Sequence, residues 1–600
     1  MRRRDVLKAA LLSFVSTAAR PASPAPAFRR VRPADPQWPS PAQWDSLGSR
    51  LSGKLIRPQP ILASCQADRA GGDCAEALRN LRNPYYIGDQ ASGTQVSGWM
   101  GAWQPAPSAF AIVAHSSADV AAGVDFARRH RLRVVVKGGG HSYQGTSNAA
   151  DSLLIWMRPM PAIEVRESFV PRDCEGRVAA VPAVEIEAGA VWMDAYDAVT
   201  TRAGRYVQGG GCATVGVAGL VQSGGFGSFS KMYGTSASHL LQAEIVTADG
   251  KLRIVNACRD PELFWALKGG GGGSFGIVTR VVLRTHELPR FLGGAEGTIQ
   301  AASAADFRRL VRRFVDLYAD KLYNPHWGES VKIGNDNRLR ISMVCAGLEE
   351  EEASRTWQPF FEWVAASRDK YKIIEEGGAG SRISARLWWD AEARRRAGTK
   401  ALLFDDRPGA SPIHAWWRGD QEQVGAFLHG FDSIWLPASL LDPGQRDRLA
   451  DALFAASRHE SVELQFNKGL AGAPDSALAA ARATAMNPEA LDAFALAIVA
   501  NGGWPRYAGL PDARIDDAKA RSDASAVDQA MRLLAVIAPA RGSYVSESNY
   551  FNPEWARSFW GTNYSRLKAA KERYDPEGLF FVHHGVGSER WSADGFDRVA

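Results

Sequence analysis

The sequence has no long hydrophobic run, no metal-binding cysteine pattern and no block of like charge after its first few residues. A membrane-spanning helix needs about 18 or more apolar residues in succession, so no membrane span is predicted. The six cysteines form no C-x-x-C pair and no cysteine–histidine cluster at zinc spacing, which argues against a structural metal. Because 71 basic and 65 acidic residues are interspersed, nucleic acid is not an expected partner.

The amino-acid composition is typical of a globular protein with more than one domain. Apolar residues make up 46% of the chain and charged residues 23%, far from the composition of disordered segments. Single hydrophobic cores stop growing at roughly 250–300 residues. A chain of 600 residues therefore predicts two or more domains.

The N-terminal segment has the features of an export signal. Arg2, Arg3 and Arg4 precede a short apolar run, and small residues and prolines follow up to Ala27. This order predicts a twin-arginine signal cleaved after Ala27, and hence a periplasmic or secreted protein without a membrane segment; the alternative is a basic tail. The twin-arginine route carries folded proteins, so it suits an enzyme that takes up a cofactor before export.

Cys65 and Cys74 lie close together ahead of the first predicted domain. In an exported chain this spacing is compatible with a local disulfide. It is also compatible with two buried free thiols, so the sequence leaves both alternatives open.

Hydrophobic periodicity predicts a β-α-β unit after residue 105 and further strands behind it. The unit consists of strands Phe110 to Ala114 and Leu132 to Val136 around a helix from Asp119 to His130. The further strands are Val184 to Ala188, Ala243 to Thr247 with a turn at Asp249-Gly250, and Ile277 to Arg284. These strands predict one domain that ends near Pro289.

The chain changes character on either side of this domain. Residues 28–104 are rich in proline and polar residues with little periodicity, as expected of a lead-in that wraps the surface. Beyond Pro289 glycine becomes rarer and helices such as Ala304 to Leu317 are predicted. Near the C-terminus a basic helix from Asn563 to Arg573 ends before Asp575-Pro576.

Three glycine-rich loops, at 138–145, 209–227 and 269–276, lie within the first predicted domain. Consecutive backbone amides without side-chain bulk form anion-binding nests, so three such loops suit a long nucleotide cofactor. The first loop is not a Rossmann fingerprint, because G-x-G-x-x-G from Gly138 reaches Tyr143. It is not a P-loop either, because Thr146 follows Gly145 in place of lysine.

The third loop contains a G-x-S-x-G match from Gly272 to Gly276. In hydrolases this motif stands between a strand and a following helix. Here a helical stretch precedes the motif and a strand follows it, so we interpret the match as accidental.

Four long motifs resemble the FAD-linked oxidases of the vanillyl-alcohol-oxidase superfamily, in particular the berberine bridge enzyme-like family. They are KGGGHSYQGTS (Lys137 to Ser147), GGGCATVGVAGLVQSGGFGSFSKMYG (Gly209 to Gly234), VTADGKLRIVNACRDPELFWALKGGGGGSFGIVT (Val246 to Thr279) and WGTNYSRLKAAKERYDPEGLF (Trp560 to Phe580). The motifs occur in the order of the family. Residues 289–541 contain no motif that is comparably specific for a family.

The resemblance implies an α+β fold. We expect a PCMH-type FAD-binding domain of two α+β subdomains, and a substrate domain in which helices cover an antiparallel sheet. The expected limits are a signal peptide at 1–27, a lead-in at 28–104, the FAD-binding domain at 105–288, the substrate-binding domain at 289–540 and a C-terminal segment at 541–600 that returns to the flavin.

The resemblance also implies covalent FAD. His141 would bond the flavin 8α-methyl group, and Cys212 would bond carbon 6 of the flavin ring. The other residues expected to contact FAD come from the three loops and the C-terminal signature: Gly138, Gly139, Gly140, Ser142, Gly145, Thr214, Val215, Gly219, Gly224, Gly225, Gly227, Tyr233, Gly276, Ile277, Val278, Asn563 and Tyr564.

The implied reaction is hydride transfer from a small alcohol, sugar or alkaloid-like substrate to FAD, while a base removes a proton. Tyr544 is the expected base and Glu547 the second candidate. Ser546 departs from the family, which often has asparagine there in a Y-x-N motif. Val215 matches a position that admits oxygen when it is valine, so molecular oxygen is the expected acceptor and hydrogen peroxide the product.

Three alternative functions follow from the same residues. A dehydrogenase on the same fold would pass electrons to another acceptor, and Ser546 invites the hypothesis of a catalytically silent flavin-binding protein. A secreted hydrolase is a more distant alternative. The tryptophan pairs Trp388-Trp389 and Trp416-Trp417 would line a cleft for sugars or flat aromatic compounds, or else belong to the core.

Overall fold

The computed structural model describes residues 28–375, 379–510 and 516–599. The predicted export signal at 1–27 lies outside these residues. Within the described ranges, no helix is both long enough and apolar enough to cross a membrane. The same residues contain no group of three or more side chains that could hold a metal ion.

The lead-in is more regular than its composition indicates. It contains α1 (Pro41–Gly48), β1 (Lys54–Ile56), α2 (Ala63–Ala67), α3 (Gly72–Arg79) and α4 (Pro84–Gly88). Trp44 of α1 stacks on Phe110, with 3.9 Å between the ring centroids, and is buried in the first core. The lead-in therefore contains short helices and contributes to the first core, which its composition does not indicate.

The predicted β-α-β unit is confirmed and belongs to the first sheet. The sheet has the order β1-β2-β4-β3 and adds β2 (Phe110–Val113), β3 (Arg133–Lys137) and β4 (Ser152–Trp156) to β1. Helix α5 (Ser117–His130) connects β2 to β3, and both strands pair in parallel with β4. The first glycine loop begins directly after β3.

The second sheet has the order β5-β6-β10-β8-β9, with β7 paired to β10. Its elements are β5 (Ile163–Phe169), β6 (Val181–Glu187), α6 (Trp192–Tyr196), β7 (Arg205–Val207), α7 (Val217–Gln222), α8 (Ser230–Tyr233), β8 (Leu240–Val246), β9 (Leu252–Asn256), α9 (Pro261–Leu267) and β10 (Ile277–Glu287). The predicted Asp249-Gly250 turn joins β8 to β9. The two remaining glycine loops therefore lie between elements of this sheet.

The third sheet is antiparallel and has the order β14-β11-β13-β12-β19-β20-β18, with β15 on β11. Its strands are β11 (Phe291–Ala301), β12 (Trp327–Ile333), β13 (Arg338–Ala346), β14 (Tyr371–Glu375), β15 (Ala379–Ser384), β18 (Phe427–Pro437), β19 (Val462–Gln465) and β20 (Ala493–Gly503); β16 (Leu402–Phe404) and β17 (Ala415–Trp417) form a separate hairpin. The sheet begins just after Pro289, where the domain boundary is predicted.

Helices cover one face of the third sheet, as the predicted fold class requires. The helices of this part of the chain are α10 (Ala304–Leu317), α11 (Glu350–Ala366), α12 (Ala391–Arg396), α13 (Arg446–Ser457), α14 (Asp475–Arg482), α15 (Glu489–Asp492), α16 (Asp517–Ile537), α17 (Trp555–Trp560) and α18 (Tyr564–Tyr574). Residues from α10, α11, α13 and α16 share one buried core with the sheet.

Buried and cleft-lining side chains alternate along the strands of the third sheet, so its second face is open. Val462 and Leu464 of β19 are buried under the helices, whereas Glu463 and Gln465 between and after them line a cleft. Successive side chains of a strand point to opposite faces, so this period of two separates core from cleft. The cleft face is the one that meets the glycine loops.

Two disulfides cross-link the described chain. Cys65 is bonded to Cys74, which decides between the two alternatives that the sequence leaves open. Cys174 is bonded to Cys258, a pair that the sequence did not indicate. Among the described residues Cys212 and Cys345 are free thiols.

The two disulfides are expected to differ in their contribution to stability. The chain-entropy model gives about 4–5 kcal/mol for a cross-link such as Cys174–Cys258 and about 2–3 kcal/mol for one such as Cys65–Cys74, because the sequence separations are 84 and 9. Replacing Cys174 and Cys258 by serine should therefore lower the unfolding temperature more than replacing Cys65 and Cys74. Calorimetry measures both, and an equal or reversed loss contradicts the assignment.

Candidate active site

A cleft of about 2200 Å³ lies between the open face of the third sheet and the glycine loops. Tyr143 of the first loop and Cys212 and Val215 of the second loop line one side. Strands β11, β12, β13, β19 and β20 line the other side, and Tyr544 and Glu547 of the C-terminal segment reach it as well. The cleft thus brings together residues from three distant parts of the chain.

The first and second glycine loops pack backbone against backbone. A Cβ atom on Gly139 would lie 2.5 Å from the Thr214 carbonyl oxygen and 2.7 Å from the Gly216 nitrogen. Within the second loop, a Cβ atom on Gly227 would lie 1.7 Å from the Gly209 carbonyl oxygen. Only glycine permits such approaches, so Gly139 is required by the contact between the loops and Gly227 by the closure of the second loop.

The loops present many free backbone donors. In the described structure the amide groups of residues 138–144, 209–214 and 272–276 donate to no protein acceptor. Consecutive free amides in loops without side-chain bulk form a cradle for an anion. The donor set and the space therefore fit the pyrophosphate of a dinucleotide such as FAD.

Ser142 and the glycines of the first loop, which are also predicted site residues, hold the loop in its conformation. Ser142 Oγ accepts hydrogen bonds from the Thr146 amide at 3.2 Å and from the Thr146 hydroxyl at 2.7 Å. Gly145 has φ +68°, and a Cβ atom there would lie 2.4 Å from the Trp103 ring. Gly140 also has a left-handed φ of +79°, and Gly138 approaches the Ala188 carbonyl oxygen. The loop conformation thus depends on several of its glycines.

His141 is held against the second loop. Its Nε2 lies 2.9 Å from Thr214 Oγ1. Burial lowers the pKa of His141 to about 4, so the imidazole is neutral near neutral pH. A neutral imidazole keeps a lone pair on one of its two nitrogens, which is what a covalent bond to a cofactor requires.

Cys212 lies in the second loop, half-buried at the cleft surface. Burial raises the pKa of its thiol, and the negative charges of Asp420 and Glu547 raise it further, whereas Lys468 opposes them. The thiol is therefore protonated at neutral pH. Reactive cysteines usually lie in electropositive surroundings, and the surroundings of Cys212 are mainly electronegative.

The remaining predicted residues lie in or next to the second and third loops. Gly219 is exposed, Gly224 and Gly225 have φ values of +108° and +73°, and the Tyr233 ring stacks on Tyr206 with 4.3 Å between centroids. Gly276 approaches the Val246 carbonyl, and Ile277 and Val278 are the first residues of β10. Most of them shape the loops. Val215 is the member of the set that lines the cleft beside Cys212.

The two predicted catalytic residues have different surroundings. The Gly225 amide donates to Tyr544 Oη at 3.3 Å. Burial raises the pKa of Tyr544 above its usual value, Glu547 adds to the rise, and a hydrogen bond from Ser546 opposes it. The Glu547 carboxylate forms an ion pair with Lys468 Nζ, so its charge is balanced.

Asn563 and Tyr564 do not line the cleft. Asn563 Nδ2 donates to the Met486 carbonyl at 2.7 Å, and Tyr564 Oη donates to Glu589 at 2.6 Å. Met486 in turn contacts the positions of Gly224 and Gly269. The signature pair therefore supports the second and third glycine loops from behind.

The tryptophan pairs divide between cleft wall and core. Trp388, Trp389 and Trp417 line the cleft, whereas Trp416 is buried in the core of the first two sheets. Trp389 also stacks on Tyr196, with 4.5 Å between the ring centroids. Both alternatives that the sequence leaves open therefore apply, and Trp389 belongs to the cleft wall and to the core at once.

Asp420, Glu329 and Lys468 are among the charged cleft residues that the sequence did not indicate. Burial raises the pKa of Asp420 to about 7 and also raises the pKa of Glu329, which accepts a hydrogen bond from Ser228. No motif marks these residues. They meet Cys212 only because the third sheet and the hairpin β16–β17 pack onto the glycine loops.

Comparison with known proteins identifies two segments of the chain. The family model of an FAD binding domain matches residues 107–256, and that of the berberine and berberine-like proteins matches residues 543–587. The chain is 28% identical to the VAO-type flavoprotein oxidase VAO615 of Thermothelomyces thermophilus, over 95% of each chain. It is 29% identical to the FAD-linked oxidoreductase malF of Malbranchea aurantiaca, over 94% of this chain and 93% of that protein.

Solved structures share the fold. The VAO-type flavoprotein MtVAO615 from Myceliophthora thermophila C1 matches with a TM-score of 0.75 and 24% identity, over 95% of this chain and 100% of that chain. A glucooligosaccharide oxidase from Acremonium strictum, which carries a 6-S-cysteinyl, 8α-N1-histidyl FAD, matches with a TM-score of 0.60 and 18% identity. The match covers 82% of this chain and 94% of that chain. With both domain matches and the full-length relatives, the chain is an FAD-linked oxidoreductase that belongs to the berberine bridge enzyme-like family of vanillyl-alcohol-oxidase-type flavoproteins.

Proposed function

We propose that this protein is an exported oxidase that bonds FAD to His141 and Cys212, accepts hydride from a small organic substrate and returns the electrons to molecular oxygen, forming hydrogen peroxide. One observation carries the proposal: His141 and Cys212 stand in two glycine loops that touch each other and border one cleft, which Tyr544 also enters. FAD supplies the two-electron acceptor when it is bound.

The protein's own groups have separate tasks in this proposal. The free amides of the three loops bind the pyrophosphate, and Thr214 orients the His141 imidazole through the bond to Nε2. Tyr544 removes the substrate proton. Glu547 is paired with Lys468, so it serves better to position Tyr544 than to act as the base.

Oxygen as the acceptor is supported by Val215, a small apolar side chain beside Cys212 at the cleft surface. The substrate we propose is an alcohol, sugar or amine small enough to reach the cleft from solvent. Walls of tryptophan and polar residues suit such compounds, because rings stack on flat apolar faces.

Export is supported by features outside the site. The first 27 residues carry the arginines, apolar run and small residues of a twin-arginine signal. Two disulfides in the described chain agree with a final location outside the cytoplasm, since disulfides persist in oxidising compartments.

The covalent attachment is tested by denaturing the purified protein, precipitating it and measuring flavin mass on the peptides. We expect flavin on the peptides of His141 and Cys212. Each single variant, His141→Ala or Cys212→Ala, should keep flavin on the other residue, and the double variant should release it. Cys345→Ser removes the other free thiol of the described chain and should leave flavin attached at both His141 and Cys212. Complete release of flavin from the wild-type protein contradicts the proposal.

The role of Tyr544 is tested by the change Tyr544→Phe, on whichever compound from a panel of alcohols, oligosaccharides and amines yields peroxide. Loss of a general base typically costs about 10²–10⁴-fold, so kcat/KM should fall by that factor while the bound flavin spectrum is unchanged. Because burial raises the pKa of Tyr544 above 10, the base form grows with pH and wild-type kcat/KM should rise through the alkaline range.

The matched control is Tyr550→Phe, a tyrosine of the same segment that stacks on His583 and does not line the cleft. It should keep both the activity and the alkaline rise. A Tyr544→Phe variant with the wild-type rate and pH profile would remove Tyr544 from the reaction.

A further inference from the structure

The hairpin β16–β17 comes from the substrate-domain part of the sequence but packs on the other domain. Its residues Leu402, Ala415 and Trp416 are buried in the core of the first two sheets. Tyr85 of the lead-in donates its hydroxyl to the Ala415 carbonyl at 3.1 Å and stacks on His414 at 4.0 Å. The hairpin is therefore fixed to the domain that carries the glycine loops.

A buried carboxylate holds the connection within this hairpin. Asp405 is fully buried and accepts hydrogen bonds from Asn83 at 2.8 Å and from Arg407 at 2.7 Å. Burial alone would raise the pKa of Asp405, but the hydrogen bonds from Arg407 and Asn83 and the positive charge of Arg407 hold it well below its usual range. The charged network thus stabilises one position of the hairpin over the lead-in.

The hairpin ends beside the second glycine loop. Trp417, its last residue, lies 5.3 Å from Trp389 between ring centroids, and Trp389 stacks on Tyr196. Tyr196 donates its hydroxyl to the Gly210 carbonyl at 2.5 Å, two residues before Cys212. These contacts fix the turn that follows Trp417, Arg418–Glu422, against the loop that carries Cys212.

Asp420 of this turn lines the same cleft wall as Cys212, and its carboxyl is close enough to raise the pKa of the Cys212 thiol. Its Oδ2 is buried and accepts no hydrogen bond within the described structure. The charged groups that act most strongly on it are Glu329 and Glu463, and both are acidic. Burial accordingly raises the pKa of Asp420 to about 7, so near neutral pH a large fraction of the carboxyl can accept a proton.

The other carboxylates near Cys212 are engaged. Glu547 is paired with Lys468, and Glu329 accepts the Ser228 hydroxyl. The thiol itself cannot ionise readily, since burial and the surrounding negative charge both raise its pKa. A sulfur in these surroundings needs a neighbouring base to remove its proton as it reacts.

We propose that Asp420 is the base that accepts the proton of the Cys212 thiol when the sulfur bonds to the flavin ring. The inference rests on the covalent attachment in the proposed function. In the balanced step a bond forms between Cys212 Sγ and a ring carbon, the S–H bond and the C–H bond of that carbon break, and the two protons and two electrons released reduce molecular oxygen to hydrogen peroxide.

The test compares the wild-type protein with Asp420→Asn, produced in flavin-limited cells and then given FAD in air. Samples are denatured at intervals and digested, and the flavin-bearing peptides are quantified by mass spectrometry. We expect flavin on His141 at the wild-type rate in both proteins, and attachment at Cys212 about 100-fold slower in the variant, the scale of a lost general base. Iodoacetamide applied to the denatured samples should correspondingly label Cys212 in the variant.

Glu422→Gln is the matched control, because Glu422 belongs to the same turn and the same cleft wall. It should attach flavin at Cys212 at the wild-type rate. Unchanged flavin attachment at His141 reports that the loops and the fold are intact. If Asp420→Asn fails to fold, Asp420→Glu keeps a carboxyl but moves it by one methylene group, and attachment at Cys212 should be slower than in the wild type.

The outcomes separate this inference from the proposed function. Absence of flavin from Cys212 in the wild-type protein overturns the double attachment itself. Attachment at Cys212 in the wild type and at the same rate in the folded Asp420 variant overturns only the role of Asp420. An equal loss in Glu422→Gln also overturns it, since the effect would then belong to the turn as a whole.

Discussion

Backbone contact between the first two glycine loops is the constraint on which the active site depends. Gly139 approaches the backbone of Thr214 and Gly216 so closely that any side chain would clash. The contact brings His141 within 2.9 Å of Thr214 and sets Cys212 at the edge of the same cleft. With the loops apart, the free amides would not form one cradle and the two candidate attachment residues would not share one cofactor.

Buried lysines hold the surroundings of these loops in place. Lys137, directly before the first loop, donates to three lead-in carbonyls at 2.5, 2.7 and 3.0 Å. Lys231 donates to the Gly469 and Phe494 carbonyls and so ties the second loop to the substrate domain. Burial lowers the pKa of each to about 7, because the fold removes these amines from water.

Charge is distributed unevenly around the cleft. Arginine–carboxylate ion pairs are common among exposed side chains. Near Cys212, by contrast, Asp420 faces Glu329 and Glu463, and Lys468 is paired with Glu547. The hairpin that precedes Asp420 rests on the lead-in through Tyr85 and Asn83. A segment that the sequence marks only as a proline-rich lead-in therefore positions part of the chemistry.

The sequence by itself determined the local features: the β-α-β unit, the strand β10, the helix Ala304–Leu317 and the glycine loops with His141 and Cys212. Periodicity and glycine clusters are local signals, because they reflect one strand, one helix or one turn at a time. Only the tertiary structure showed that the lead-in forms short helices, that Cys174 is bonded to Cys258 and that Asp420 lines the same cleft as Cys212. These contacts join residues far apart in the chain, and their energy comes from packing between elements, which no short window of sequence encodes.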